Sequence, residues 1–98
     1  MPNNNLKFAY FGTPEIASKT LSILKDNGYI PELIITSPDT PSGRGLMMKE
    51  TPVSTWANLN NIKCIKPDKI TGEFTEELNK LNLDLFIVVA YGKFYQNY

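Results

Sequence analysis

Leu6-Lys7-Phe8-Ala9-Tyr10-Phe11-Gly12-Thr13-Pro14-Glu15-Ile16-Ala17 reads as a strand, a tight turn and the opening of a helix. The aromatic and aliphatic residues from Leu6 to Phe11 suit a pleated, buried strand, and Gly12 gives the backbone freedom to turn with room for a ligand to approach. Thr13 is placed to cap the helix, Pro14 to occupy its first position, and Glu15 to sit at the positive end of its dipole. Two readings of this turn are open: a ligand site at a helix N-terminus, and an ordinary strand-to-helix connection.

The remainder repeats the same unit. From Pro14 to Asp26, Ile16, Thr20 and Leu24 form one row and Ala17 and Leu21 the next, the spacing of a helix with one buried face. Asn27-Gly28 supplies a left-handed stop, and Ile30 to Thr36 reads as a second strand with Pro31 near its start. Ser37 to Glu50, with Pro38, Pro41, Gly43 and Gly45, has little periodicity and reads as a long loop. Thr51-Pro52 opens a helix carrying Val53, Trp56 and Ala57 on one side, and Asn60-Asn61 closes it. Ile62 to Ile65 is a short third strand. Phe74, Leu78 and Leu81 mark a helix over Glu73 to Asn82, and Leu85 to Ala90 reads as a fully buried parallel strand. Strands alternating with helices predict an α/β fold, a doubly wound, Rossmann-like parallel sheet with its four strands in the order 3-2-1-4. Gly12-Thr13-Pro14 and Tyr91-Gly92 then meet where the winding reverses, the place where such sheets bind ligands.

Composition narrows the function. With 98 residues the chain is one domain or part of one, and burial of roughly two-thirds of the unfolded surface allows a modest core. Formal net charge is zero, so any RNA contact must come from a local patch. Cys64, the single cysteine, reads as a small buried core residue and excludes an intrachain disulfide or a cysteine-based zinc site. The polar N-terminus carries no leader pattern and no apolar run approaches membrane-spanning length, so the expected location is cytoplasmic with no membrane partner; separately, neither a DNA partner nor a metal is expected. A dinucleotide fingerprint would need further glycines after Gly12 and an acid ending the second strand, whereas Asp39 lies beyond Pro38.

Three motifs, Phe11-Gly12-Thr13-Pro14-Glu15-Ile16-Ala17, Pro38-Asp39-Thr40-Pro41-Ser42-Gly43-Arg44-Gly45 and Val88-Val89-Ala90-Tyr91-Gly92, make the chain resemble the N-terminal part of the methionyl-tRNA formyltransferase family over nearly its whole length. The resemblance implies that residues 1–98 are the N-terminal part of a formyltransferase domain. It implies transfer of a formyl group from 10-formyltetrahydrofolate to initiator methionyl-tRNA, in translation initiation. It further implies that the segment Ser37 to Glu50 enters the acceptor end of the tRNA, with Arg44 in contact and Gly43, Gly45 and Lys49 beside it. An arginine between two glycines has backbone room and a planar fork of donors, which agrees with that role. Where the family shows more lysine, Leu46, Met47 and Met48 stand here, placed either to pack on the acceptor end or to cover the segment's apolar side. Tyr91, Gly92, Phe94 and Tyr95 are the folate-pocket candidates, and Gly12, Thr13 and Pro14 form the turn beside them.

The family continues past Ala-Tyr-Gly with a strand bearing Asn-x-His, then an aspartate and a C-terminal tRNA-binding domain. Lys93-Phe94-Tyr95-Gln96-Asn97-Tyr98 departs from that wording, and the chain contains no histidine. Acyl transfer to an amine needs a stabilised oxyanion and a proton acceptor, so no catalytic residue is assigned and the 98 residues alone are expected to be inactive. Two classes stand: part of a formyltransferase, or a fragment or binding remnant of the same fold. A sugar N-formyltransferase shares the fold, but the Pro-Ser-Gly-Arg-Gly segment speaks against it.

Overall fold

A computed structural model describes residues 6–42 and 47–91. Its elements run β1 (Phe8–Gly12), α1 (Glu15–Asp26), β2 (Leu33–Ile35), β3 (Thr40–Ser42), β4 (Met47–Lys49), α2 (Pro52–Leu59), β5 (Cys64–Ile65), α3 (Gly72–Asn79) and β6 (Leu85–Val89). The four-stranded sheet is ordered β5-β2-β1-β6. All its pairings are parallel. Counting only those strands, the order is the expected 3-2-1-4.

β1 is central because every residue in it is buried and both its edges are paired. Its register runs from Phe8 beside Leu85 to Gly12 beside Val89 on one side, and from Ala9 beside Leu33 to Phe11 beside Ile35 on the other. Strand alternation divides the core. Phe8, Tyr10 and Ile34 pack with Ala17, Leu21, Val53 and Ala57 of α1 and α2. Ala9, Phe11, Leu33 and Ile35 pack with Leu78 of α3 and with Tyr91. The start of β6 is locked to the start of β1, since Lys7 N–H donates to Asp84 Oδ2 at 2.8 Å and Asp84 N–H donates to the Lys7 carbonyl at 2.7 Å.

Gly12 ends β1 under α1. A Cβ there would stand 2.6 Å from Ala17 Cβ and 3.1 Å from the Val89 carbonyl oxygen, so the two small residues let helix and strand approach. The same close approach fixes which face of α1 is buried. Ala17 and Leu21 point inward, whereas Ile16, expected on the buried face, is 58% exposed. Helix endings follow the signals in the sequence. Gly28 (φ 88°), Asn61 (φ 56°) and Asn82 (φ 55°) take the left-handed conformation after the three helices. Thr51 caps α2 by accepting from Ser54 N–H at 3.0 Å, with Pro52 at the first helical position. Cys64 is half-buried at the margin of the core rather than inside it.

Two expectations are corrected. The segment from Ser37 to Glu50 is not a plain loop: β3 and β4 form an antiparallel hairpin with Thr40 opposite Lys49 and Ser42 opposite Met47. A two-stranded ribbon has free edges, so Pro41 is tolerated there without losing a ladder bond of a larger sheet. β6 is parallel as expected but not fully buried. It lies at the edge of the described sheet, with Phe86 44% and Val88 46% exposed, because α3 covers the opposite half of that face.

Burial pushes the Tyr10 phenol up to about 12, while its hydroxyl donates to the Ala17 carbonyl at 2.9 Å. Burial also raises Tyr91 to about 12 and shifts the Cys64 thiol upward. In each case the folded state favours the neutral form, so the unfolded chain ionises first as pH rises. Stability is therefore expected to be full below about pH 8, to begin to fall as the Cys64 thiol ionises in the unfolded chain, and to fall most steeply between about pH 10 and 12. Tyr10→Phe should flatten that fall by about one proton in the slope of unfolding free energy against pH, read from urea midpoints. An unchanged slope would show that Tyr10 titrates normally.

Candidate functional site

The C-terminal ends of β1, β2 and β6 are joined by hydroxyls. Thr13 Oγ1 lies 3.0 Å from Ser37 Oγ, accepts from Ser37 N–H at 3.3 Å and donates to the Tyr91 carbonyl at 3.4 Å. This corrects the expected capping role. Pro14, not Thr13, is the N-cap of α1, no side chain caps that helix, and Glu15 is its first residue. Thr13 instead ties together the three strand ends at the reversal point.

Tyr91 follows Ala90, whose φ of 52° is unusual for a residue with a side chain. That left-handed step turns the chain at the end of β6 and sends the Tyr91 ring into the core, edge-on to Phe11 at 5.5 Å. Tyr91, a folate-pocket candidate from the sequence, is therefore buried beneath the strand ends rather than exposed there. The turn at Ala90 is a site feature that sequence reasoning missed, because an alanine carries no signal for positive φ.

A second polar group holds the start of α2. Thr36 Oγ1, just after β2, lies 2.8 Å from Thr51 Oγ1 in a buried pair. Ser54 Oγ donates to Glu50 Oε1 at 2.7 Å, and Glu50 also accepts from Thr55 and Asn58 at 3.1 Å each. Buried hydroxyls are costly unless bonded; here Thr36 and Thr51 bond each other and Ser54 donates to the Glu50 carboxylate. The cluster is consequently a brace for the hairpin root, not a source of reactive oxygen.

The structure brings together Gly12, Thr13, Pro14 and Tyr91 at one end of the sheet. Lys49 is exposed at the end of β4, in the hairpin that leaves that same end. Met48 is 62% exposed, so it does not cover an apolar side of the hairpin. Arg44, Gly43 and Gly45, and Gly92, Phe94 and Tyr95, lie outside the described residues. Among the described residues, a groove of about 390 Å³ opens elsewhere, between α3 and the starts of β2 and β5, lined by Glu32, Lys63, Phe74 and Leu81 among others. It lies toward the wrong end of parallel strands for a ligand site of this fold. No group of three or more potential metal ligands occurs among the described residues, and none of their helices is long and apolar enough to cross a membrane.

No family model matches the chain. Curated relatives do. It is 42% identical over 89 residues to the methionyl-tRNA formyltransferase of Ruminiclostridium cellulolyticum, a match covering 90% of this chain and 28% of that protein. The methionyl-tRNA formyltransferase of Alcanivorax borkumensis is 38% identical over 88 residues, covering 89% of this chain and 27% of the relative. That of Coxiella burnetii is 40% identical over 89 residues, again covering 90% and 28%. The chain is thus a relative of the methionyl-tRNA formyltransferases, matched along about nine-tenths of itself and spanning a little over a quarter of their length.

Proposed function

We propose that these residues are the N-terminal part of a formyltransferase domain and serve, within a longer protein, the transfer of a formyl group from 10-formyltetrahydrofolate to the amino group of methionine on initiator methionyl-tRNA. The observation that carries the reading is the 42% identity over 90% of the chain to a methionyl-tRNA formyltransferase. The fold supports it. A parallel sheet with reversal between β1 and β6 sets Gly12, Thr13, Pro14 and Tyr91 at the end where a small molecule is held in such folds. Gly92, Phe94 and Tyr95 follow Tyr91 in sequence and complete the proposed folate side. A hairpin leaving the same end supports a separate macromolecular substrate contact, with Arg44 as its main group and Gly43, Gly45 and Lys49 around it. The chain's part in this reaction is binding and orientation, since the amine attack creates an oxyanion for which these residues supply no histidine. That absence also sustains the second reading, a binding remnant without chemistry.

The test uses a chimera in which this chain replaces the matching region of the Ruminiclostridium cellulolyticum protein. Arg44→Ala should weaken use of methionyl-tRNA by about 1–3 kcal/mol, as for a lost bidentate contact, or about 5- to 150-fold in KM. The KM for 10-formyltetrahydrofolate should stay unchanged. Equal losses for both substrates would sink the assignment of the hairpin to tRNA.

A further inference from the structure

Lys66 follows the last residue of β5 and reaches both roots of the β3–β4 hairpin. Its Nζ donates to Asp39 Oδ1 at 2.8 Å, and Asp39 immediately precedes β3. The same ammonium stands 3.9 Å from Glu50 Oε1, and Glu50 immediately follows β4. The two roots are otherwise held differently. Glu50 is fixed to α2 by Ser54, Thr55 and Asn58, whereas among the described residues Asp39 is tied to the body of the sheet by the bond from Lys66.

A ribbon of two three-residue strands has little stability of its own, and β3 and β4 form a sheet separate from the four-stranded one. Its direction must therefore be set where it joins the fold. All three charged groups are about two-thirds buried, which limits screening without enclosing the charges completely. The bond to Asp39 raises the Lys66 pKa, so the ammonium stays charged through the neutral range.

We propose that Lys66 is a positioning residue that spans the two roots of the β3–β4 hairpin and fixes the hairpin's direction at the C-terminal end of the sheet. Its value for the reaction rests on the proposed formyltransferase reading, in which the hairpin carries Arg44. The clamp itself does not depend on that reading.

Hydrogen exchange followed by mass spectrometry on the 98-residue chain tests it. In Lys66→Met, amides in peptides spanning 38–42 and 47–50 should exchange about three- to fivefold faster, the effect of losing a partly exposed ion pair. Peptides spanning 8–26 should be unchanged. Lys66→Arg, which keeps the charge and can reach both carboxylates, should restore the slow rate, and Asp39→Asn should reproduce the fast one. Unchanged hairpin exchange in Lys66→Met, or equal acceleration of β1 and α1, would overturn the proposal. Neither tRNA nor folate enters the measurement, so its failure is distinct from failure of the proposed function.

Discussion

Purified as 98 residues and supplied with 10-formyltetrahydrofolate and methionyl-tRNA, the chain is expected to yield no formyl-methionine above a no-protein control. Formyl transfer to an amine passes through a tetrahedral oxyanion, and removing one preorganised donor to such an oxyanion typically costs about 10²–10³ in rate. The family resemblance assigns two side-chain donors, an asparagine and a histidine, and an aspartate that orients the histidine. The chain contains no histidine to fill that role. Two titratable groups near the strand ends are already engaged, Glu50 with three hydrogen-bond donors and Lys66 with Asp39. Losses of groups that act as a unit are not simply additive, but with the histidine and the groups that act with it absent together the residual turnover is expected to be lost in background. Formyl-methionine released from the tRNA after removal of host enzyme would show that one of these residues carries the chemistry.

Self-association is the second large effect. β6 presents five residues, Leu85 to Val89, along the edge of the described sheet, with Leu85, Phe86 and Val88 exposed. Unpaired N–H and C=O groups beside an apolar face are a template for strand addition. The other edge, β5, is only two residues long and offers much less. The isolated chain should therefore sediment well above its monomer mass of 11.1 kDa. Leu85→Lys with Val88→Lys places a charge on each face of the strand and should return most of the material to monomer. A sharp monomer of the unaltered chain with cooperative unfolding would show that the β6 edge is protected.

Much of this architecture is legible in the residues, and the parts that are not have physical reasons. Phe8 to Phe11 followed by Gly12 reads as a buried strand entering a turn, and the alternation that follows leads to the sheet order; the room expected at Gly12 for a ligand is instead filled by Ala17 of α1 and the Val89 carbonyl. Thr51-Pro52 announced its helix because a cap and a first-position proline act locally. The hairpin did not announce itself: three-residue strands containing Pro41 and separated by glycines show no period of two. Thr13 was read from its local position, but a tertiary partner, Ser37, claims its hydroxyl. Ile16 and Val88 look like core residues in sequence, and their exposure depends on which neighbours cover them, which no local pattern encodes. At the candidate site, Thr13, Pro14 and Tyr91 could be placed in advance by topology, whereas the hydroxyl bridge among the strand ends and the turn at Ala90 became visible only in three dimensions.

If, as proposed, this chain serves within a methionyl-tRNA formyltransferase, it should restore activity when joined to the remainder of such an enzyme. The most direct measurement is formyl-methionine formation by the chimera in which it replaces the matched 89 residues of the Ruminiclostridium cellulolyticum protein. The chimera is expected to fold cooperatively, to formylate methionyl-tRNA with 10-formyltetrahydrofolate, and to use methionyl-tRNA about 5- to 150-fold less well on Arg44→Ala. A chimera that folds as well as its parent but transfers no formyl group would contradict the proposal.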